Sequence, residues 1–158
     1  MSACIELDYV KLAARLERER AAGRRVALTN GCFDVLHVGH VRLIREARTH
    51  GDVLVVALNS DASARGNKGP SRPFVPLEER AEVIAALEGV SYVTSFGEPN
   101  AEGLLTCLRP DVHVKGTDWT ADTVPERHIV LAYGGRIAIC GDPKRHSSTE
   151  LIRKLGAK

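Results

Sequence analysis

Short apolar runs recur along the chain at 26–28, 53–58, 90–93, 112–114 and 137–140. Their positions are mostly apolar in succession, as in 53–58, so each is expected to be a strand buried on both faces, as in a parallel sheet covered by helices. The stretches between them are long enough for helices at about 39–50, 76–88, 99–108 and 123–133, with a last one starting near Ser148. Pro76 suits the first turn of the second of these, and Gly51 and Gly89 suit C-terminal stops. Ahead of the first run, Asp8 can cap a helix carrying Tyr9, Leu12, Ala13 and Leu16 at helical spacing, with Gly23 as its stop. The pattern predicts a single α/β domain over 1–158. It has an amphipathic helix in 1–23 and, in 24–158, a Rossmann-like, doubly wound, parallel five-stranded sheet with helices on both faces.

The length of 158 residues suits one core, and 44% hydrophobic with 27% charged residues excludes disordered and low-complexity classes. A net charge of +2 gives no field that would call for nucleic acid or a membrane, and a small anionic ligand fits better. No apolar run reaches membrane-span length and the opening MSACIELD does not read as a signal peptide, so the expected location is cytoplasmic. Cys4, Cys32, Cys107 and Cys140 are widely spaced without a CxxC pair, which suggests reduced thiols rather than a zinc site or disulfides. Cys32 has no activating base near it in sequence.

Candidate chemistry concentrates in Thr29-Asn30-Gly31-Cys32-Phe33-Asp34-Val35-Leu36-His37-Val38-Gly39-His40, where the first long run meets a helix start. A helix beginning there aims unpaired N–H groups and the positive end of its dipole at the crevice, which suits phosphate. His37 and His40, three apart around Gly39, can face one point and donate to a phosphoryl oxygen as its charge grows. A helix cap or a buried hydrogen bond is the alternative use of either ring, and HxGH supplies only two of the ligands a zinc ion needs.

The segment 65–76, RGNKGPSRPFVP, reads as a basic loop leaving the carboxyl end of the second strand, where an open parallel sheet binds ligands. Lys68 and Arg72 in it are either phosphate clamps or solvated charges. Arg80 precedes Val83, Ile84 and Leu87 at buried-stripe spacing, so it points inward or along the site rim. Lys115 ends an apolar strand on the ligand side. Ser147-Ser148-Thr149-Glu150 reads as a capping box whose hydroxyls can also meet phosphate. Asn59 and Asp61 suit sugar hydroxyls or a strand-ending turn, and Asp34 either orients the glycine turn or contacts substrate or metal.

The stretch GxFDxxHxGH resembles the cytidylyltransferase-like nucleotidyltransferases. Asn59-Ser60-Asp61, Lys68-Gly69, Ser71-Arg72-Pro73, Pro76-Leu77-Glu78-Glu79-Arg80, Val114-Lys115-Gly116-Thr117-Asp118-Trp119 and Ser147-Ser148-Thr149 extend the resemblance over 24–155. Within that group the chain is similar to the D-glycero-D-manno-heptose 1-phosphate adenylyltransferases. The resemblance implies transfer of AMP from ATP, with Mg2+ on the triphosphate, to heptose 1-phosphate, giving ADP-heptose for lipopolysaccharide core and pyrophosphate.

It also implies a homodimer and, because many relatives are fused to a sugar kinase, a separate kinase as supplier. By the same resemblance His37, His40, Lys68 and Arg72 are catalytic. Thr29, Asn30, Gly31, Cys32, Phe33, Gly39, Lys115, Gly116, Asp118, Ser147, Ser148 and Thr149 bind nucleotide, while Asp34, Asn59, Asp61 and Arg80 bind sugar phosphate. No metal is held by the protein itself. Before the last helix the chain reads Lys144-Arg145-His146 where glycerol and choline relatives carry an arginine-led RTEGIST-type sequence, so the phosphate contact there is open among these three. Rival readings are CTP or GTP as the nucleotide, or another phosphorylated alcohol such as glycerol 3-phosphate, and a nucleotide-binding regulator without turnover.

Overall fold

The computed structural model describes residues 3–143 and 145–156. Six strands form one parallel sheet: β1 (Cys4–Asp8), β2 (Val26–Gly31), β3 (Val53–Asn59), β4 (Tyr92–Phe96), β5 (Val112–Gly116) and β6 (Arg136–Cys140), in the order β1-β4-β3-β2-β5-β6. The expected count of five is therefore corrected to six. The additional strand, CIELD, alternates apolar and acidic positions because it lies at the sheet edge, half covered, and pairs only with β4. A search for continuous apolar runs passes over it. Segment 1–23 is thus strand and then helix α1 (Tyr9–Ala21). Asp8 caps α1 by accepting from the amides of Val10 and Lys11 at 2.9 and 3.4 Å.

The remaining helices are α2 (Val38–Ala47, continued by a 3₁₀ turn at Arg48–His50), α3 (Asp61–Lys68), α4 (Leu77–Ala85), α5 (Glu102–Leu108), α6 (Arg127–Ala132) and α7 (Ser148–Gly156). Helix α3 replaces the first part of the expected loop 65–76. Its sequence DASARGNK has no apolar stripe, and it is set instead by Ser60 accepting from the Ser63 amide at 3.2 Å and by Gly69, whose φ of +107° stops it. α5 and α6 are shorter than expected, each beginning after a proline, Pro99 and Pro125.

The continuous apolar runs are explained by two cores. Ala27, Leu54, Val56, Leu58, Val93, Val112 and Val114 face Ile44, Ala47, Ala81 and Ile84 of α2 and α4. Val26, Leu28, Val53, Val55 and Ala57 face Leu12 and Leu16 of α1, Leu104, Leu105 and Leu108 of α5 and Val130 of α6. Every residue of β3 is buried. β2 is flanked by β3 on one side and β5 on the other, so chain connections diverge there and open a crevice beyond the carboxyl ends of β2 and β5.

Candidate active site

A cavity of about 480 Å³ fills this crevice, within the range of small-molecule sites. Its floor is the end of β2 and the turn after it, Thr29 to Asp34. One wall is His37, Gly39, His40 and Leu43 of α2, another is Lys115 to Trp119 after β5, and a third is Cys140 to Pro143 with Arg145 to Thr149 leading into α7. Lys68 and Arg72 close the remaining side. The turn is tight: Phe33 has φ +47°, and a Cβ on Gly31 would lie 3.2 Å from the Phe33 ring.

His37 is the N-cap of α2, and its Nδ1 accepts the Gly39 amide at 3.1 Å. The His37 amide in turn donates to Nδ1 of His40 at 3.3 Å. A nitrogen that accepts an amide carries no proton, so each neutral ring holds its proton on Nε2, free to donate to a ligand. The rings stack with centroids 3.9 Å apart and 28° between planes. Burial, then the neighbouring charges of His37 and Lys68, pushes His40 down to about 4, and burial with the charge of His146 lowers His37. Both are therefore neutral donors near pH 7. Gly39 is required by approach as well as by pattern, since a Cβ there would meet Cε1 and Nδ1 of His37 at 2.9 Å. Among the described residues no group of three or more His, Cys, Asp or Glu side chains could hold a metal ion.

Positive charge comes from Arg72 and Lys68 on one side and Lys115 on another. Arg72 is buried, and its Nε donates to Asp34 Oδ2 at 2.6 Å while the guanidinium lies 5.4 Å from the Phe74 ring centroid. Asp34 also accepts the Phe74 and Val75 amides at 2.9 Å each, so it fastens the segment after α3 to the β2 turn. Burial would raise the Asp34 carboxyl, but these amides and Arg72 outweigh it and hold it below the usual range. Lys115 is nearly enclosed, with Nζ 3.9 Å from Glu126 Oε2 and 5.7 Å from the Trp119 ring centroid. Burial lowers Lys115 while Glu126 opposes that shift. Lys68 is exposed at the end of α3.

Three expected ligand residues are absent from the cavity lining. Arg80 is 1% exposed and saturated: Nε donates to Val75 O at 2.9 Å, Nη1 to Cys32 O and Asn59 O at 2.7 and 2.9 Å, and Nη2 to Asp61 Oδ1 at 2.7 Å. It ties the β2 turn, the end of β3 and the start of α3 together, so it supports the site from beneath. Asn59 is buried and donates to Ser63 Oγ at 2.9 Å, and Asp61 pairs with Arg80. Cys32 reaches the cavity, but burial raises its thiol against the charges of Lys68, Arg80 and Arg72, which gives a protonated thiol rather than a nucleophile.

Ser147, Ser148 and Thr149 line the cavity at the start of α7. Ser147 Oγ accepts the Glu150 amide at 3.0 Å, whereas Glu150 pairs forward with Lys154 at 2.9 Å instead of reaching back, which corrects the expected capping box. Ser148 Oγ donates to Val35 O at 2.7 Å, docking α7 on the β2 turn. Of the three basic candidates before α7, Arg145 and His146 line the cavity, and the His146 ring centroid is 6.3 Å from that of His37. Lys144 lies outside the described residues. Leu43, Thr117, Trp119 and Asp142 also line the cavity and were not singled out as ligands. Only Thr117 and Trp119 had a signal, their place beside Lys115.

The family description "Cytidylyltransferase-like" matches residues 28–154. Among curated proteins, "Bifunctional protein HldE" of Geobacter sulfurreducens is 48% identical over 144 residues, which cover 91% of this chain and 29% of that protein. The protein of the same name from Syntrophotalea carbinolica is 48% identical over 140 residues, 89% of this chain and 29% of its own length. The chain thus spans less than a third of the length of these curated relatives. A solved structure, the lipopolysaccharide core biosynthesis protein from Thermoplasma volcanium, shares the fold with a TM-score of 0.66 at 24% identity, over 77% of this chain and 100% of that one.

Proposed function

This chain belongs to the cytidylyltransferase-like family, and from that premise we propose that it is an adenylyltransferase that moves AMP from ATP to D-glycero-D-manno-heptose 1-phosphate. The observation that carries the reading is the pair of stacked imidazoles, both with Nδ1 engaged by backbone amides and both facing a cavity ringed by Lys68, Arg72, Lys115 and Arg145. The sugar choice rests on the motif resemblance and on the relatives of the HldE type.

In the proposed reaction an oxygen of the heptose phosphate attacks the α-phosphorus of ATP. The new P–O bond forms as the bond to the bridging oxygen toward the β-phosphorus breaks, and pyrophosphate leaves with that electron pair. The phosphomonoester is already a competent nucleophile at neutral pH, so no general base is needed and the site's work is alignment and charge stabilisation. His37 and His40 donate from Nε2 to the α-phosphoryl oxygens as their charge grows. Arg72, held rigid by Asp34, and Lys68 approach the phosphates from the opposite side, and Lys115 with Trp119 and Asp118 forms the nucleoside end. The start of α7 adds the Thr149 hydroxyl and the Ser147 region.

Asp34 is committed to Arg72 and two amides, and three-ligand clusters are lacking among the described residues. That donor set fits Mg2+ carried on the triphosphate oxygens, where it would neutralise part of the polyphosphate charge. The heptose 1-phosphate has to come from a sugar-phosphorylating reaction, and use of ATP fits a cytoplasmic setting. The homodimer implied by resemblance is read directly by light scattering.

The deciding experiment sets four nucleoside triphosphates against a panel of sugar and polyol phosphates and measures pyrophosphate. Release with ATP and heptose 1-phosphate together, and not with either alone, is the expected result. Preference for CTP or GTP with another phosphorylated alcohol would move the substrate assignment, and nucleotide binding without pyrophosphate from any pair would make the protein a regulator.

A further inference from the structure

We infer that His113 is a positioning residue that locks the side chain of Asn30 so that its amide NH2 faces the nucleotide; this rests on the nucleotide reading of the cavity given above. His113 is the second residue of β5, fully buried between Val112 and Val114, at a place where the sequence pattern calls only for an apolar residue. Its neighbours across the ladder are Leu28 of β2 and Ile137 of β6. Nε2 lies 2.9 Å from Asn30 Oδ1, and Nδ1 has no hydrogen-bond partner among the described residues. Asn30, at the end of β2, lines the cavity beside Gly31 and Cys32.

The orphaned Nδ1 decides which way the amide faces. If Nε2 carries the ring proton, it donates to Asn30 Oδ1 and the unpaired atom is a bare lone pair. If the amide turned over to donate to Nε2, the ring proton would move to Nδ1 and an N–H donor would be buried without an acceptor. Buried orphan donors are the rarer and costlier case. Protonating both nitrogens is no alternative, because burial, helped by Lys115, pushes His113 down to about 3. The amide oxygen is therefore held by His113 and both Asn30 N–H bonds are left for the cavity, where the nucleotide offers acceptor oxygens. A free asparagine would present oxygen or nitrogen there with little preference, and its oxygen would repel a phosphate.

The test is a double-mutant cycle with pyrophosphate release and nucleotide binding both measured. His113→Leu, which keeps volume and removes the donor, is expected to raise KM for the nucleotide about five- to tenfold, the worth of one hydrogen bond, with KM for the sugar phosphate nearly unchanged. His113→Gln, whose amide nitrogen can replace Nε2, should restore most of that loss. Asn30→Ala should cost as much as His113→Leu, and the two together no more than Asn30→Ala alone. Independent, multiplying losses would overturn the inference, as would equal losses on both substrates. If His113→Leu fails to fold, Asn30→Asp decides instead. It keeps the oxygen that His113 holds and replaces the NH2 by oxygen, so it should bind nucleotide at least tenfold more weakly, and nucleotide affinity equal to wild type would overturn the inference. Wild-type protein that binds no nucleotide would remove the functional reading itself, a result separate from a wild type that binds and turns over but shows an additive cycle.

Discussion

Replacing His40 by asparagine separates two jobs that one ring performs. Its Nδ1 accepts the His37 amide at 3.3 Å and so helps close the first turn of α2, while Nε2 is the donor left for the ligand. The Oδ1 of asparagine lies near the position of Nδ1, so His40→Asn keeps the backbone contact and withdraws the donor. Stability should then fall by at most about 1 kcal/mol, the scale of a helix cap, or roughly 2–4 °C in Tm for a chain of this size. Turnover should fall by about 10²- to 10³-fold, on the order of 3–4 kcal/mol, as when a preorganised donor to a developing oxyanion is removed. His40→Gln reverses the exchange: its amide nitrogen reaches toward Nε2 and the Nδ1 contact is lost. It should melt lower than the asparagine variant yet turn over about tenfold faster. Pyrophosphate release at saturating substrates, beside thermal melts followed by circular dichroism, reads both quantities. A folded His40→Asn protein with turnover within about fivefold of wild type would refute the donor role, and equal turnover of the two variants would refute the division of labour.

Gly39→Ala places a Cβ 2.9 Å from the His37 ring, so kcat should drop at least about tenfold through displacement of that donor while α2 stays helical; an unchanged kcat would remove the close-approach argument. Arg80→Met leaves three carbonyls and Asp61 without their partner, which should cost about 3–5 kcal/mol and lower Tm by about 10 °C or more; a loss under about 1 kcal/mol in urea titration would show that the cluster is not a structural tie. For pH, His37, His40 and His113 are all lowered from 6.5, His40 to about 4 and His113 to about 3. Between those values and 6.5 the unfolded chain binds protons that the native chain refuses, so stability is full above about pH 6.5 and falls as the pH drops toward 4. Urea midpoints at about pH 7.5 and 5 should differ, and by less in folded His113→Gln; equal midpoints would contradict the depressed values.

The sequence by itself determined the class of sheet and the place of the chemistry. Runs such as 53–58, apolar at every position, are compatible with a strand covered on both faces, and a glycine turn followed by HxGH marks a strand-to-helix junction because both signals are local in the chain. Asp8 as a helix cap belongs to the same local category, whereas the helix that Gly69 ends lay inside the expected loop and was not revealed by apolar spacing. Tertiary structure decided what depends on partners far away in the chain. CIELD became a strand because β4 lay open beside it, 88 residues on from Cys4 to Tyr92 in the pairing. Arg80 was drawn under the site by carbonyls from Cys32, Asn59 and Val75, and Asp34 was drawn onto Arg72 and the amides of Phe74 and Val75. His146 reached His37, and His113 reached Asn30, across separations of more than 80 residues that carry no periodic signal. A buried polar group takes whichever partner packing brings within about 3 Å, and that geometry exists only once the sheet has closed on its helices.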